Sequence, residues 1–229
     1  MQKPINSIFT VDCVIFGFDE EELKILLIDR GEEPFEGRFA LPGYFVHDNE
    51  DVDQAANRVL EELTGLSNIF LEQFSSFGKI DRHPWGRILT VAYYALVKLD
   101  DYRIEPGSIA QSAEWFSVTD LPEPAFDHQE IIKKAFEVLK AKVRYHPVGF
   151  ELLPKKFTLR RLQNLYEAIL ETGLDKRNFR RKILKMGIIK PLDEKQTGVA
   201  HKAARYYCFD PEKYEELTRA GFLFSIVGG

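Results

Sequence analysis

The chain has 229 residues, with 31 Lys and Arg against 36 Asp and Glu and a net charge of -5, a length that allows one large or two modest domains. At 45% hydrophobic and 29% charged residues it is neither a disordered nor a fibrous chain. Its two cysteines, Cys13 and Cys208, argue against a disulfide framework, and no apolar run approaches a membrane span. The first residues lack the apolar core of a secretion signal, so the expected location is the cytoplasm, with no membrane partner.

In chain order, Ile8–Gly17 and Leu23–Asp29 are β-rich runs on either side of an acidic turn. Arg38–Val46, Phe70–Gly78, Ile88–Val97 and Glu114–Val118 continue the strand pattern. Two helices interrupt it. Asp51–Thr64 places Val52, Ala55, Ala56, Val59 and Leu63 on one side, and His128–Tyr145 carries a broad apolar stripe from Ile131 to Val143. His146–Pro154 holds two prolines and a glycine and is predicted as an irregular connection. The predicted organisation is a domain over 1–147, a linker over 148–156 and a second domain over 157–229.

Charge supports that division. Residues 152–210 hold 14 Lys and Arg against 6 Asp and Glu, a net of +8, which leaves -13 for the rest. An acidic body with a basic appendage points to a nucleic-acid-facing module. Within it, Thr158 is placed to cap a helix with Leu159, Leu162, Tyr166, Ile169 and Leu170 on one face and Gly173 at its end. Asp175 is placed to cap a second, with Phe179, Ile183 and Met186 inward. Ile188–Leu192 and Ala204–Asp210, joined by a polar turn, complete a winged helix-turn-helix. The candidate contacts to double-stranded DNA on the helices are Thr158, Arg160, Arg161, Lys176, Arg177, Asn178, Arg180, Arg181, Lys182 and Lys185, with Lys195, Thr197, Lys202 and Arg205 on the wing. Asn178 suits the donor and acceptor edge of adenine, whereas the arginines suit guanine or phosphate. A basic helix is also what a solvated face looks like, and a winged helix can bind protein instead.

The first domain carries Leu41-Pro-Gly-Tyr44-Phe-Val46 followed by Asn57-Arg-Val-Leu-Glu-Glu-Leu-Thr-Gly-Leu66. This resembles the Nudix hydrolase box, G-x5-E-x7-R-E-U-x-E-E-x-G-U with U aliphatic. Glu50, Arg58, Leu60, Glu62, Gly65 and Leu66 match it; Tyr44 stands at the glycine, and Val59 and Leu63 at two glutamates. By helical period Val59, Glu62 and Leu63 are expected to share a sector. With two aliphatic side chains there, Glu62 is a poor Mg²⁺ anchor, so no catalytic residue, metal or cofactor is expected.

A degenerate Nudix domain followed by a winged helix is similar to the Nudix-related transcriptional regulators, and within them to the L-arabinose-utilisation regulators of Bacteroidetes. The segments carrying this likeness are Phe157-Thr-Leu-Arg-Arg-Leu-Gln163 and Leu174-Asp-Lys-Arg-Asn-Phe-Arg-Arg-Lys182. The resemblance implies an α/β (α+β) fold, a Nudix-type α/β/α sandwich followed by the winged helix. It also implies a homodimer that represses carbohydrate-utilisation genes and binds a sugar, expected to be L-arabinose, in the former hydrolase pocket. Where related domains tend to read Asp-Pro-Arg-Gly, this chain has Arg82-His-Pro-Trp-Gly86. The rings of Tyr44 and Trp85 therefore suit stacking on a small uncharged ring, with Asp29, Arg30, His47, Glu50 and His83 available for hydroxyl contacts. Packing or dimer contact is the other reading of the two rings. The alternative functions are an ADP-ribose-sensing regulator of NAD metabolism and an active pyrophosphatase with a nucleic-acid-binding tail.

Overall fold

The computed structural model describes residues 8–101, 104, 110–197 and 203–226. Two compact units divide the chain, Met1–Gly17 with Lys24–Phe136, and Phe18–Leu23 with Glu137–Gly229. In the first lie β1 (Phe9–Phe18), β2 (Leu23–Arg30), β3 (Phe39–Ala40), β4 (Gly43–Phe45), α1 (Val52–Thr64), β5 (Glu72–Phe77), β6 (Leu89–Leu96) and β7 (Ala110–Ser117). The next helix, α2 (His128–Tyr145), crosses the division.

The seven strands form one sheet in the order β3-β2-β1-β6-β5, with β4 added on β1 and β7 on β2. Every residue of β1 after Phe9 is buried, which explains its near-continuous apolar run and its parallel partner β6. Asp12 is the charge within that run. The expected strand over Arg38–Val46 is split in two, because Leu41 and Pro42 bond elsewhere. The Leu41 N–H donates to His128 Nδ1 at 2.9 Å, and the Pro42 carbonyl accepts from Cys13. Helix α1 begins at a reciprocal capping box of Asp51 and Gln54 and ends at Gly65, where φ is 73°. Its Ala55, Ala56, Val59, Leu60 and Leu63 pack into a core with Cys13, Ile15 and Tyr93.

The second unit contains a 3-10 turn (Pro147–Leu152), β8 (Phe157–Thr158), α3 (Leu159–Leu170), α4 (Lys176–Met186), β9 (Ile189–Lys195), β10 (Arg205–Phe209) and α5 (Pro211–Arg219). The expected irregular connection is folded: Phe150, Leu152 and Leu153 are buried, and Phe150 stacks on Phe209 at 4.6 Å. Helix α3 stops at Leu170, before Gly173, because Glu167 gathers the turn. Its carbonyl takes the N–H of Glu171, which sits at φ 49°, and its carboxylate takes the Leu174 N–H at 2.8 Å. Leu162, Leu165, Tyr166 and Ile169 of α3 and Phe179 and Ile183 of α4 are buried, and the rings of Tyr166 and Phe179 meet at 5.9 Å. Strands β8, β10 and β9 form an antiparallel sheet behind them. Helix α5 was not anticipated from the sequence, although Asp210 as cap and Pro211 at the first turn are a start signal. No described helix is long and apolar enough to cross a membrane.

Candidate functional site

The box remnant is a structural clamp. Arg58 grips Glu50 with two N–H groups at 2.9 and 2.6 Å, reaches Glu62 at 2.9 Å, and donates to the Phe45 carbonyl at 3.0 Å. Its guanidinium holds the Glu50 carboxyl down at about 2. Val59 and Leu63 are 0% and 1% exposed, while the Glu62 side chain is 50% exposed beside Arg58. The expected shared sector is therefore corrected: Glu62 lies on the rim, and the other two positions face the core. Among the described residues no cluster of three or more His, Cys, Asp or Glu could hold a metal ion.

Beside the clamp lies a pocket of about 120 Å³. Its floor is a buried ionic network assembled from β1, the loop before β6 and the start of α2. Arg82 grips Asp127 through two bonds at 3.0 and 2.8 Å and reaches Asp12 at 3.3 Å. On the other side of Asp12, His128 Nε2 lies 3.4 Å from Oδ1. Since the Leu41 N–H occupies Nδ1, the imidazole proton sits on Nε2, facing the carboxylate. Burial pushes the Asp12 carboxyl up, but His128 and Arg82 outweigh it and hold it at about 2. Gly43 is required here, because a Cβ on it would lie 2.0 Å from Asp12 Oδ1. Thr10 Oγ1, also in the lining, is buried without a hydrogen-bond partner.

The walls are aromatic. His83 stacks on Phe126 at 5.0 Å and meets Phe45 and Trp85 edge-on. Its Nδ1 accepts the Trp85 N–H, and burial together with Arg82 lowers its pKa, so a neutral ring is favoured. Tyr44 packs against the core and turns its hydroxyl to Glu32; burial and that carboxylate raise its pKa. Arg30 lies over Phe126 at 5.0 Å and donates to the carbonyls of Pro34 and Glu32.

The second unit offers a basic face on α4. Asp175 caps α4 by accepting the Asn178 N–H at 2.8 Å, and Phe179 and Ile183 anchor the inner side. Lys176, Arg177, Asn178, Arg181 and Lys185 are left exposed. Spacing of two helices, a short turn and a β-hairpin matches the groove-reading arrangement expected from the sequence.

Comparison with known proteins agrees with both halves. Residues 7–137 match the NUDIX domain model, and residues 149–209 match the model of the NrtR DNA-binding winged helix domain. A relative from Acinetobacter baylyi, described as the ADPR responsive transcriptional repressor NtrR, is 35% identical over 214 residues, 92% of this chain and 85% of that one. The crystal structure of Shewanella oneidensis NrtR complexed with a 27mer DNA superposes with a TM-score of 0.77 at 28% identity, over 96% of this chain and 100% of that one. The NUDIX domain of the same protein complexed with ADP ribose gives 0.54 at 31% identity, over 60% of this chain and 94% of the other.

The chain belongs to the NrtR family.

In this NrtR-family chain the candidate effector residues divide. Arg30, Tyr44, His83 and Trp85 line the pocket, and Trp85 is 63% exposed there. Asp29, His47 and Glu50 do not line it. Asp29 precedes Arg30 on β2, and successive strand side chains point to opposite faces. His47 and Glu50 bond to each other in the turn before α1, with Glu50 already held by Arg58. Missed by sequence reasoning were Thr10, Asp12, Glu32, Arg82, Phe126 and His128. One signal was available: a lone charge in a near-continuous apolar run needs a buried partner.

Two of the proposed DNA contacts have partners within the fold. The Thr158 hydroxyl is buried and caps α3 by accepting the Arg161 N–H. Arg161 itself is 19% exposed and bonds Glu20 at 2.7 Å, while Asn164 donates to the Glu20 carbonyl. Arg180 and Lys182 are half-buried; Arg160, Lys195, Thr197 and Arg205 are exposed; Lys202 lies outside the described residues.

Proposed function

We propose that this chain is a transcriptional repressor whose winged helix binds double-stranded operator DNA and whose former Nudix pocket takes a small effector that releases it. The observation that carries this reading is the pairing of a disarmed box with an intact, lined pocket in a chain that is similar, over nearly its whole length, to an ADPR responsive repressor. Those likenesses favour ADP-ribose as the effector over the L-arabinose to which the sequence resemblance pointed. A homodimer supplies the two recognition helices that a two-fold operator requires.

A free pentose such as L-arabinose is the second reading, and the pocket's own chemistry supports it. Asp12, Glu32 and Glu33 set three carboxylates in the lining against the two guanidinium groups of Arg30 and Arg82, and both guanidinium groups already donate to protein oxygens. A pyrophosphate calls for uncommitted cations or a metal. A neutral ring needs aromatic walls and a few hydroxyl partners, which Trp85, Phe45 and the unpartnered Thr10 Oγ1 supply.

Calorimetric titration of the full chain with ADP-ribose, L-arabinose and D-ribose, each with and without operator DNA, tests the proposal. One ligand is expected to bind, and to bind more weakly by the same factor that it weakens DNA. A ligand bound with equal affinity in both conditions contradicts effector control.

A further inference from the structure

Two exposed side chains of α4 are bonded to each other. Arg181 Nη2 donates to Asn178 Oδ1 at 2.9 Å, one helical turn apart. A guanidinium has only donors, so the carboxamide atom facing it is the oxygen, and the orientation of Asn178 follows from its neighbour. The backbone of Asn178 is held as well, by its N–H to the Asp175 carboxylate at 2.8 Å. Around the helix, Phe179 and Ile183 mark the buried side, and Arg181 lies almost opposite them, flanked by Arg177, Asn178 and Lys185. The pair therefore occupies the middle of the face that a major groove would meet.

With its oxygen turned to Arg181, Asn178 offers outward its amide N–H groups, beside the N–H groups of the guanidinium. We infer that Asn178 and Arg181 act as one donor-only unit that reads the acceptor edge of guanine, rather than Asn178 alone reading adenine. Guanine presents N7 and O6, two acceptors side by side, whereas adenine places its N6 amino donor next to N7. An adenine there sets N–H against N–H. Arg181 is thus both a base contact and the group that positions Asn178. The inference rests on the DNA-binding reading above and goes beyond it in naming the base and the residues that select it.

Selection of operators by the full chain from a randomised duplex library, repeated with Asn178→Ala and with Arg181→Met, tests the inference. Wild type is expected to select guanine at one base pair of each half-site, and both variants are expected to lose that same preference, by about tenfold or more. A double variant loses no more than either single one, because the two act as a unit. Replacing that guanine by 7-deazaguanine, which removes the N7 acceptor, weakens wild type and leaves the Arg181→Met variant unmoved. Selection of adenine at the position that Asn178→Ala relaxes, or relaxation of different positions by the two variants, overturns the inference. Failure to select any sequence overturns the DNA-binding reading with it.

Discussion

Helices α1 and α4 share a plan and differ in what happens to their charges. Each begins at an aspartate that accepts an N–H from its first turn, and each ends at a glycine in the left-handed region. On α1 the one arginine is consumed within the fold, by Glu50, Glu62 and the Phe45 carbonyl. On α4, Lys176, Arg177, Arg181 and Lys185 stand exposed on the side away from Phe179 and Ile183. A charge whose partners come from its own fold holds that fold together; a charge left to solvent is available to something else. By that criterion α1 serves as scaffold and α4 is the working surface.

The largest effect is expected from rebuilding the box. Val59→Glu with Leu63→Glu restores the family's carboxylates, but both sites are closed into the core. The double variant is expected to lose about 4 kcal/mol or more of stability, because two charges are buried without partners. Urea unfolding measures the loss. Neither it nor the wild type is expected to hydrolyse ADP-ribose with Mg²⁺ or Mn²⁺, and metal-dependent turnover by either contradicts the scaffold reading.

Arg58→Ala is next in size, at about 2 to 3 kcal/mol, since it strips the charged hydrogen bonds from Glu50. It also changes the acid limb. The Glu50 carboxyl is held below its ordinary value, so its contribution to stability is present above pH 4.5 and is lost as pH falls toward about 2. Wild type is expected to weaken through that window, and the variant to show a flatter limb in acid titrations followed by circular dichroism.

How much of this was legible beforehand follows from the distance over which partners act. The box substitutions, both N-caps of the helix pair and the basic face are local patterns, and each could be seen in a few neighbouring residues. The pocket floor could not, because Asp12 and Arg82 stand 70 positions apart and Arg82 and Asp127 stand 45 apart. Nothing in a local window pairs them. The pairing of Arg161 escapes a local window for the same reason: its partner Glu20 is 141 positions away. Glu62 was placed with Val59 and Leu63 by helical period alone, which bounds a sector but does not say which edge the core covers.

On the working surface the expected effects on folding are small. Arg177→Ala should leave stability within about 0.5 kcal/mol of wild type, while operator affinity falls, as fluorescence anisotropy would report. Equal losses of stability and affinity would return α4 to the scaffold class. Smallest of all is the wing: Lys195→Ala should weaken operator and random DNA alike and reduce the slope of log affinity against log salt by about one. A change confined to the operator would make Lys195 a base reader.

In the proposed function, occupancy of the pocket beside Trp85 releases DNA. The most direct test is displacement of a labelled operator from the full chain at fixed salt by ADP-ribose, L-arabinose or D-ribose, repeated with Trp85→Ala. Release by one of these ligands is expected at saturating concentration, with the concentration needed rising in the variant while operator affinity without ligand stays unchanged. Release that is identical in wild type and Trp85→Ala, or a complex that none of the three ligands disturbs, would contradict it.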